Sequence, residues 1–191
     1  AIQQFIGDVD WGELDYLIID FPPGTSDEPL TVAQNLPDID GMVIVTTPQD
    51  VALLDSRKSI TFANSLKVDV IGVIENMSGY TVRGKAPAGT ELELAAPGGK
   101  TIRVTTDENG DWAGTLDIFK AGGGERTAEE FGVPFLGKLP FDPGFVRGGD
   151  DGVHRIVSEP EGPSAIAFNG VVAQIQSKVE SGSNGGGLEI I

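Results

Sequence analysis

Asp20 ends the apolar run Tyr16-Leu17-Ile18-Ile19 and is followed by Phe21-Pro22-Pro23-Gly24-Thr25-Ser26-Asp27. If that run is a buried strand, its last residue stands at the carboxyl edge of a parallel sheet, where α/β folds bind their ligands. A carboxylate there can hold Mg²⁺ through a water, and the stiff Pro-Pro-Gly turn offers the Gly24 amide to a terminal phosphate. The same residues also describe a strand-end Asp that caps the next helix, followed by an ordinary turn.

Three other groups of residues invite chemistry. Leu94-Ala95-Ala96-Pro97-Gly98-Gly99-Lys100-Thr101 ends like a phosphate loop, but Leu94 stands where the first glycine is required. The following Ile102-Arg103-Val104-Thr105 alternates as a strand, whereas a phosphate loop must open a helix. The segment therefore reads as a Gly-Gly hairpin with a solvated Lys100. Gly122-Gly123-Gly124 fits either an anion cradle or a flexible junction that starts a helix. His154 is the single histidine and lies in the polar run from Asp150 to Glu161. With no cysteine and no second histidine, a metal role does not follow, and Asp150, Asp151 and Glu159 read as a solvated acidic loop. The absence of cysteine also excludes disulfides, thiol catalysis and thiolate metal sites.

These residues need a scaffold, and hydrophobic periodicity supplies one. Tyr16–Asp20, Met42–Thr46 and Val70–Ile74 are short, continuous apolar runs that each lead into a turn or polar loop. Such β-branched runs fit strands buried on both faces of a parallel sheet. Between them, Leu53, Ile60, Ala63 and Leu66 share one helical face. A fourth strand is expected at Phe135–Leu139, after a helix from Glu125 to Phe131 that Gly132 terminates. A last helix carries Phe168, Val172, Ile175 and Val179, with Pro163 in its first turn. Alternating strands and helices imply an α/β fold with a doubly wound, mostly parallel sheet. Ser181 to Gly187 is rich in Gly and Ser and reads as the start of a flexible tail, 181–191.

Residues 80–116 break the pattern. Glu91–Leu94, Thr101–Thr105 and Trp112–Leu116 alternate with period two and are separated by Pro97-Gly98-Gly99 and by Asp107-Glu108-Asn109-Gly110. This predicts a three-stranded antiparallel meander inserted into the α/β domain, with one apolar face that must pack on something.

Composition narrows the function. Net charge is −16, from 29 acidic and 13 basic residues. A field of that sign repels nucleic-acid backbone and anionic lipid, so neither nucleic acid nor membrane is an expected partner. The acidity fits either solubility or a high-salt cytoplasm. Ala1–Leu14 lacks the basic and apolar regions of a signal peptide, so the chain is expected to be cytoplasmic. It opens without an initiator Met in helix-like sequence, as a fragment or processed chain would.

The segments AIQQFIGDVDWGELDYLIIDFPPGTSDEPLTVAQ, VIVTTPQDVALLDSRKSITF, IGVIENMSGY, IFKAGGGERTAEEFGVPFLGKLPFDP and RGGDDG occur in this order. Together they resemble the Mrp/ApbC branch of the MinD-type P-loop ATPases. Phe21 and Ser26 depart from the usual Leu and Gly of that signature without removing a functional group. The resemblance implies a partial P-loop ATPase domain over 1–79 and 117–180, in a homodimeric ATP-binding protein that carries an iron–sulfur cluster to apo-protein clients. It makes Asp20 the Mg²⁺ carboxylate, and Gly24, Thr25 and Asp27 parts of the segment that senses the γ-phosphate. Asn76 would contact the adenine edge, and Leu139-Pro140 would line the base pocket; read without the family, Asn76 is a turn residue satisfying local backbone. The family's Gly-rich lysine loop is expected upstream of Ala1, together with its preceding strand, so this chain should not hydrolyse ATP unaided. The family's C-x-x-C after N-M-S-G is replaced by Tyr80-Thr81-Val82-Arg83. Two alternatives stand beside the carrier reading. One is a nucleotide-sensing scaffold that binds a partner through the meander; the other is a MinD- or ParA-like positioning ATPase.

Overall fold

The computed structural model describes residues 2–21, 27–36 and 39–183. After α1 (Ile2–Gly7) and α2 (Asp27–Asn35), the chain enters β1 (Met42–Thr46), crosses through α3 (Asp50–Leu66) and returns in β2 (Val70–Glu75). Four strands follow: β3 (Tyr80–Lys85), β4 (Glu91–Ala96), β5 (Lys100–Thr105) and β6 (Asp111–Leu116). Then come α4 (Gly123–Phe131), β7 (Phe135–Lys138), α5 (Pro143–Asp151), α6 (Arg155–Ser158) and α7 (Pro163–Ser183).

β1, β2 and β7 form a parallel sheet in that order, with Ile44 opposite Val73 and Ile74 beside Gly137. Both crossovers step in the same direction, so right-handed connections place α3 and α4 on the same face. On that face Ile44, Ile60, Val73 and Ala128 close a core. Successive residues of a strand point to opposite faces, and Ile74 and Leu136 accordingly meet Val171 of α7 on the other side. The sheet is therefore doubly wound. α3 buries Leu53, Ser56, Ile60 and Ala63, a 3-4-3 spacing that holds one stripe against the sheet. Fully burying Ile60 contributes about 1.5–3 kcal/mol.

The apolar run before Asp20 is not a strand. Residues 15–20 join no ladder among the described residues, and they are exposed, Ile18 to 90%. A strand exists only through a hydrogen-bonded neighbour, and among the described residues β1 is likewise unpaired on its outer side, with Val45 exposed.

The inserted segment also differs from expectation. It has four strands rather than three, in two separate antiparallel ladders, β3 with β6 and β4 with β5. The first strand pairs with the last, and the β4–β5 hairpin nests between them. The apolar face needs no outside support, because the ladders pack on each other. A side chain at Gly114 of β6 would collide with Leu94 and Val104 of the hairpin. Across β3–β6, Trp112 lies over Gly84, directly opposite it in register.

The carboxyl-terminal region needs two smaller corrections. Asp150, Asp151 and Glu159 do not lie in one acidic loop, since Asp150 and Asp151 end α5 and Glu159 caps α6 and pairs with Arg155. α7 runs on through Ser183, past the expected start of the tail; 184–191 lie outside the described residues.

Candidate functional site

The carboxyl edge of the sheet is built where β1, β2 and β7 end side by side. Backbone hydrogen bonding continues past the strands. The Asn76 amide donates to Thr46 O at 2.7 Å, and the Leu139 amide to Glu75 O at 2.8 Å. Ser78 N then donates to Leu139 O at 2.9 Å, and Phe141 N to Gly79 O at 2.8 Å. Asn76–Gly79 and Leu139–Phe141 are thereby laced together, and Asn76 is brought to the same edge as Leu139-Pro140.

Within that edge the Asn76 Oδ1 accepts from the Met77 amide at 2.9 Å. This is the local backbone role that Asn often takes in turns. It orients the side-chain amide, whose nitrogen has no hydrogen-bond partner among the described residues and remains available as a donor. Met77 has φ 54°, a left-handed conformation that is costly for a residue with a side chain. Leu139 is half-buried against Ile74, Leu136 and Val171, an apolar wall fixed by the core.

Gly122-Gly123-Gly124 starts α4, with Gly122 as N-cap in the left-handed region. Its amides do face an anion, but an internal one. Glu75, wholly buried, accepts from Gly122 N at 3.1 Å and from Gly124 N at 2.7 Å. In the sequence Glu75 reads only as the start of the polar loop after Val70–Ile74. The available signal was an acidic residue closing a buried strand, the same signal that singled out Asp20.

Charged pairs border this edge. Lys138 Nζ donates to Glu125 Oε2 at 2.9 Å, and that bond raises the lysine's pKa. Lys120 pairs with Asp50 at the start of α3, and its hydrogen bond holds the Asp50 carboxyl below the ordinary carboxylate range.

The other sequence-derived candidates are placed less fully. Asp20 lies on the exposed, unpaired stretch rather than at a strand end. Gly24 and Thr25 lie outside the described residues; Asp27 opens α2, and its side chain lies outside them too. Lys100 begins β5 after a turn of Pro97–Gly99, so the Gly-Gly-Lys-Thr sequence is a hairpin and not a phosphate loop. His154 is exposed at the N-cap of α6. Among the described residues, no three or more His, Asp or Glu converge as a cage for a metal ion. No helix among them is long and apolar enough to cross a membrane.

A doubly wound parallel sheet makes this an α/β protein, and solved structures place it with the P-loop NTPase-like folds. A nucleotide-binding protein from Archaeoglobus fulgidus, solved in complex with ADP, superposes with a TM-score of 0.55 at 32% identity, over 87% of this chain and 56% of that one. The septum site-determining protein MinD from Pyrococcus horikoshii, complexed with Mg-ADP, superposes with a TM-score of 0.57 over 91% of this chain and 55% of its own; at 18% identity it speaks for the fold alone.

The family model described as ParA, NUBPL iron-transfer P-loop NTPase, matches residues 1–92 and 107–176. The chain belongs to this iron-transfer P-loop NTPase family. The unmatched stretch between those segments covers most of the β4–β5 hairpin. An iron-sulfur cluster carrier protein of Methanocaldococcus jannaschii is 42% identical over 180 residues, 94% of this chain and 52% of the relative. That of Synechocystis is 41% identical over 178 residues, 93% of this chain and 43% of the relative. The chain thus spans about half the length of the curated relatives it matches.

Proposed function

We propose that this chain supplies the Mg²⁺-carboxylate, switch and base-binding parts of an ATP-binding iron–sulfur carrier ATPase, and that alone it neither turns over ATP nor holds a cluster. The observation that carries the reading is the lacing of Asn76 beside Leu139-Pro140 at the sheet's carboxyl edge. An amide donor beside an apolar wall suits the edge and face of an adenine ring. Asp20 offers one exposed hard oxygen donor, sufficient for Mg²⁺ held through water and insufficient for a closed cage. When bound, Mg²⁺ neutralises charge on the nucleotide's phosphates. The 191 residues contain no Gly-rich lysine loop of the phosphate-binding type. In the intact assembly this chain is a cytoplasmic homodimer, and apo-proteins receive the cluster.

The cluster itself does not fit the donors present. Iron–sulfur clusters are held chiefly by thiolates, and the chain has none. Its carboxylates are hard donors that suit Mg²⁺ better. Cluster ligation would have to come from outside these 191 residues.

The base assignment is tested by titrating the chain with ADP and GDP. Preference for ADP, lost in Asn76→Ala, is the expected outcome; equal binding of the two by the unmodified chain overturns the assignment. A second reading, a nucleotide-sensing scaffold that binds a partner through the inserted strands, is favoured by an open groove of about 540 Å³ on β3 and β6. Arg83, Lys85, Asp111 and Trp112 line it. Under this reading, substitutions in the groove abolish partner capture and leave nucleotide binding unchanged.

A further inference from the structure

Every described donor to the Glu75 carboxylate comes from one of the two connections that join the inserted strands to the α/β body or from the first turn of α4, which the second connection enters. Oε1 accepts from the Ser78 hydroxyl at 2.6 Å and from the Gly122 amide at 3.1 Å, and Oε2 accepts from the Gly124 amide at 2.7 Å. Ser78 lies in the leading connection, between β2 and β3. Gly122 closes the trailing one, between β6 and α4, and Gly124 lies in the first turn of α4. The Phe141 ring repeats the arrangement outside the carboxylate. It meets Tyr80 on the leading side at 5.8 Å and Phe119 on the trailing side at 6.4 Å, both edge-on.

The main chain of Glu75 belongs to the candidate base edge. Its carbonyl accepts from Leu139, and the next residue is Asn76, tied to Thr46. One residue therefore touches the end of β2, the continuation of β7, the leading connection and the start of α4. There is no slack for a substitute at the contact. A Cβ on Gly124 would lie 3.0 Å from the Glu75 Cβ and 3.2 Å from Thr46 Cγ2. A carboxylate is acceptor-only and can receive all of these donors, whereas a Gln in its place would turn an N–H group toward backbone N–H groups.

We propose that Glu75 is the positioning residue of the base-binding edge. Its carboxylate clamps Asn76–Gly79 to the start of α4, and so sets how the Asn76 side chain is presented. This rests on the reading of Asn76 as the base contact. It goes beyond that reading in naming a buried side chain, remote from any ligand contact of its own, on which base selectivity depends.

The test is residue-resolved amide hydrogen exchange on the 191-residue chain, with ADP and GDP titrations on the same samples. In Glu75→Gln the amides of Gly122, Gly124 and Asn76–Gly79 should exchange at least about tenfold faster, with amides in the middle of α7 unchanged. Ser78→Ala should accelerate Asn76–Gly79 alone, and it decides the matter if Glu75→Gln does not fold. Ile60→Val, a core control, should accelerate all three regions alike. Base preference in Glu75→Gln should fall to that of Asn76→Ala. Faster exchange at Gly122 and Gly124 with Asn76–Gly79 unchanged would mean that Glu75 only caps α4, and would overturn the proposal. So would acceleration spread evenly as in Ile60→Val. If the clamp pattern appears but Asn76→Ala leaves the ADP-to-GDP ratio untouched, the base reading fails and the selectivity claim falls with it, while the clamp of Asn76–Gly79 stands.

Discussion

Arg155 Nε donates to Asp142 Oδ2 at 3.1 Å, and this pair ties α5, α6 and α7 into one unit. Asp142 is the N-cap of α5, where its Oδ1 accepts from Gly144 N at 2.8 Å. Its Oδ2 also accepts from Ser164 Oγ of α7 at 2.8 Å. Arg155, the first residue of α6, pairs on its other side with Glu159.

This node makes stability depend on pH in a defined direction. Burial pushes the Asp142 carboxyl up, but the Gly144 amide, the Ser164 hydroxyl and the Arg155 guanidinium outweigh it and hold the group below its ordinary range. A carboxyl depressed in the folded state contributes stability that is complete above the unfolded pKa, about 3.9, and is lost as pH falls through the folded value. Asp142→Ala should cost about 1–2 kcal/mol at neutral pH, from the lost cap and the lost bonds to Ser164 and Arg155. Urea midpoints measured from pH 7 downward should show that gap narrowing only below about pH 4. A gap independent of pH down to the acid transition would contradict the assignment.

Glycines at the start of α4 should separate from glycines elsewhere in helices. A Cβ at Gly123 would come within 2.8 Å of Pro48 O and 2.9 Å of Leu53 Cδ1, and the backbone oxygen cannot swing aside. Gly123→Ala and Gly124→Ala should each cost about 1–3 kcal/mol. Gly170, inside α7 with nothing within 4 Å of its would-be Cβ, is the opposite case. Gly170→Ala should stabilise by about 0.5–1 kcal/mol. Thermal denaturation of the three variants checks both signs.

Phosphate chemistry yields a third expectation. The purified chain should show no ATP hydrolysis above background. In a form joined to a family phosphate loop, Asp20→Asn should abolish Mg²⁺-dependent turnover with the circular dichroism spectrum unchanged. A turnover rate equal to that of the unsubstituted form removes Asp20 from the metal role.

Cluster chemistry yields a fourth. With no cysteine and one exposed histidine, His154, a symmetric pair of chains offers two imidazoles and no sulfur. Anaerobic incubation with iron and sulfide, followed by desalting, should leave no visible charge-transfer absorption. A spectrum persisting at one cluster per dimer would reveal a ligand set outside the present reading.

Local patterns carried far in this chain because the forces behind them are local. The face of α3 that carries Leu53, Ile60 and Ala63, the β-branched runs of β1 and β2, and Pro163 at the start of α7 could each be read from neighbours within a turn or two. That Asn76 and Leu139-Pro140 share one edge was legible only through resemblance to a family, since nothing in their spacing relates residues so far apart. Three matters were settled by tertiary structure alone. Tyr16–Asp20 has the composition of a buried strand, yet a ladder needs a partner, and in this fold the run has none among the described residues. Tyr80–Lys85 alternates too weakly to announce a strand, and its pairing with Asp111–Leu116 replaces the sequential meander with nested hairpins. Gly122-Gly123-Gly124 was open to two readings until folding brought the Glu75 carboxylate to its amides. In each case the deciding group lies outside any local window, because hydrogen-bond partners and burial are properties of the folded chain, whereas periodicity is a property of the segment.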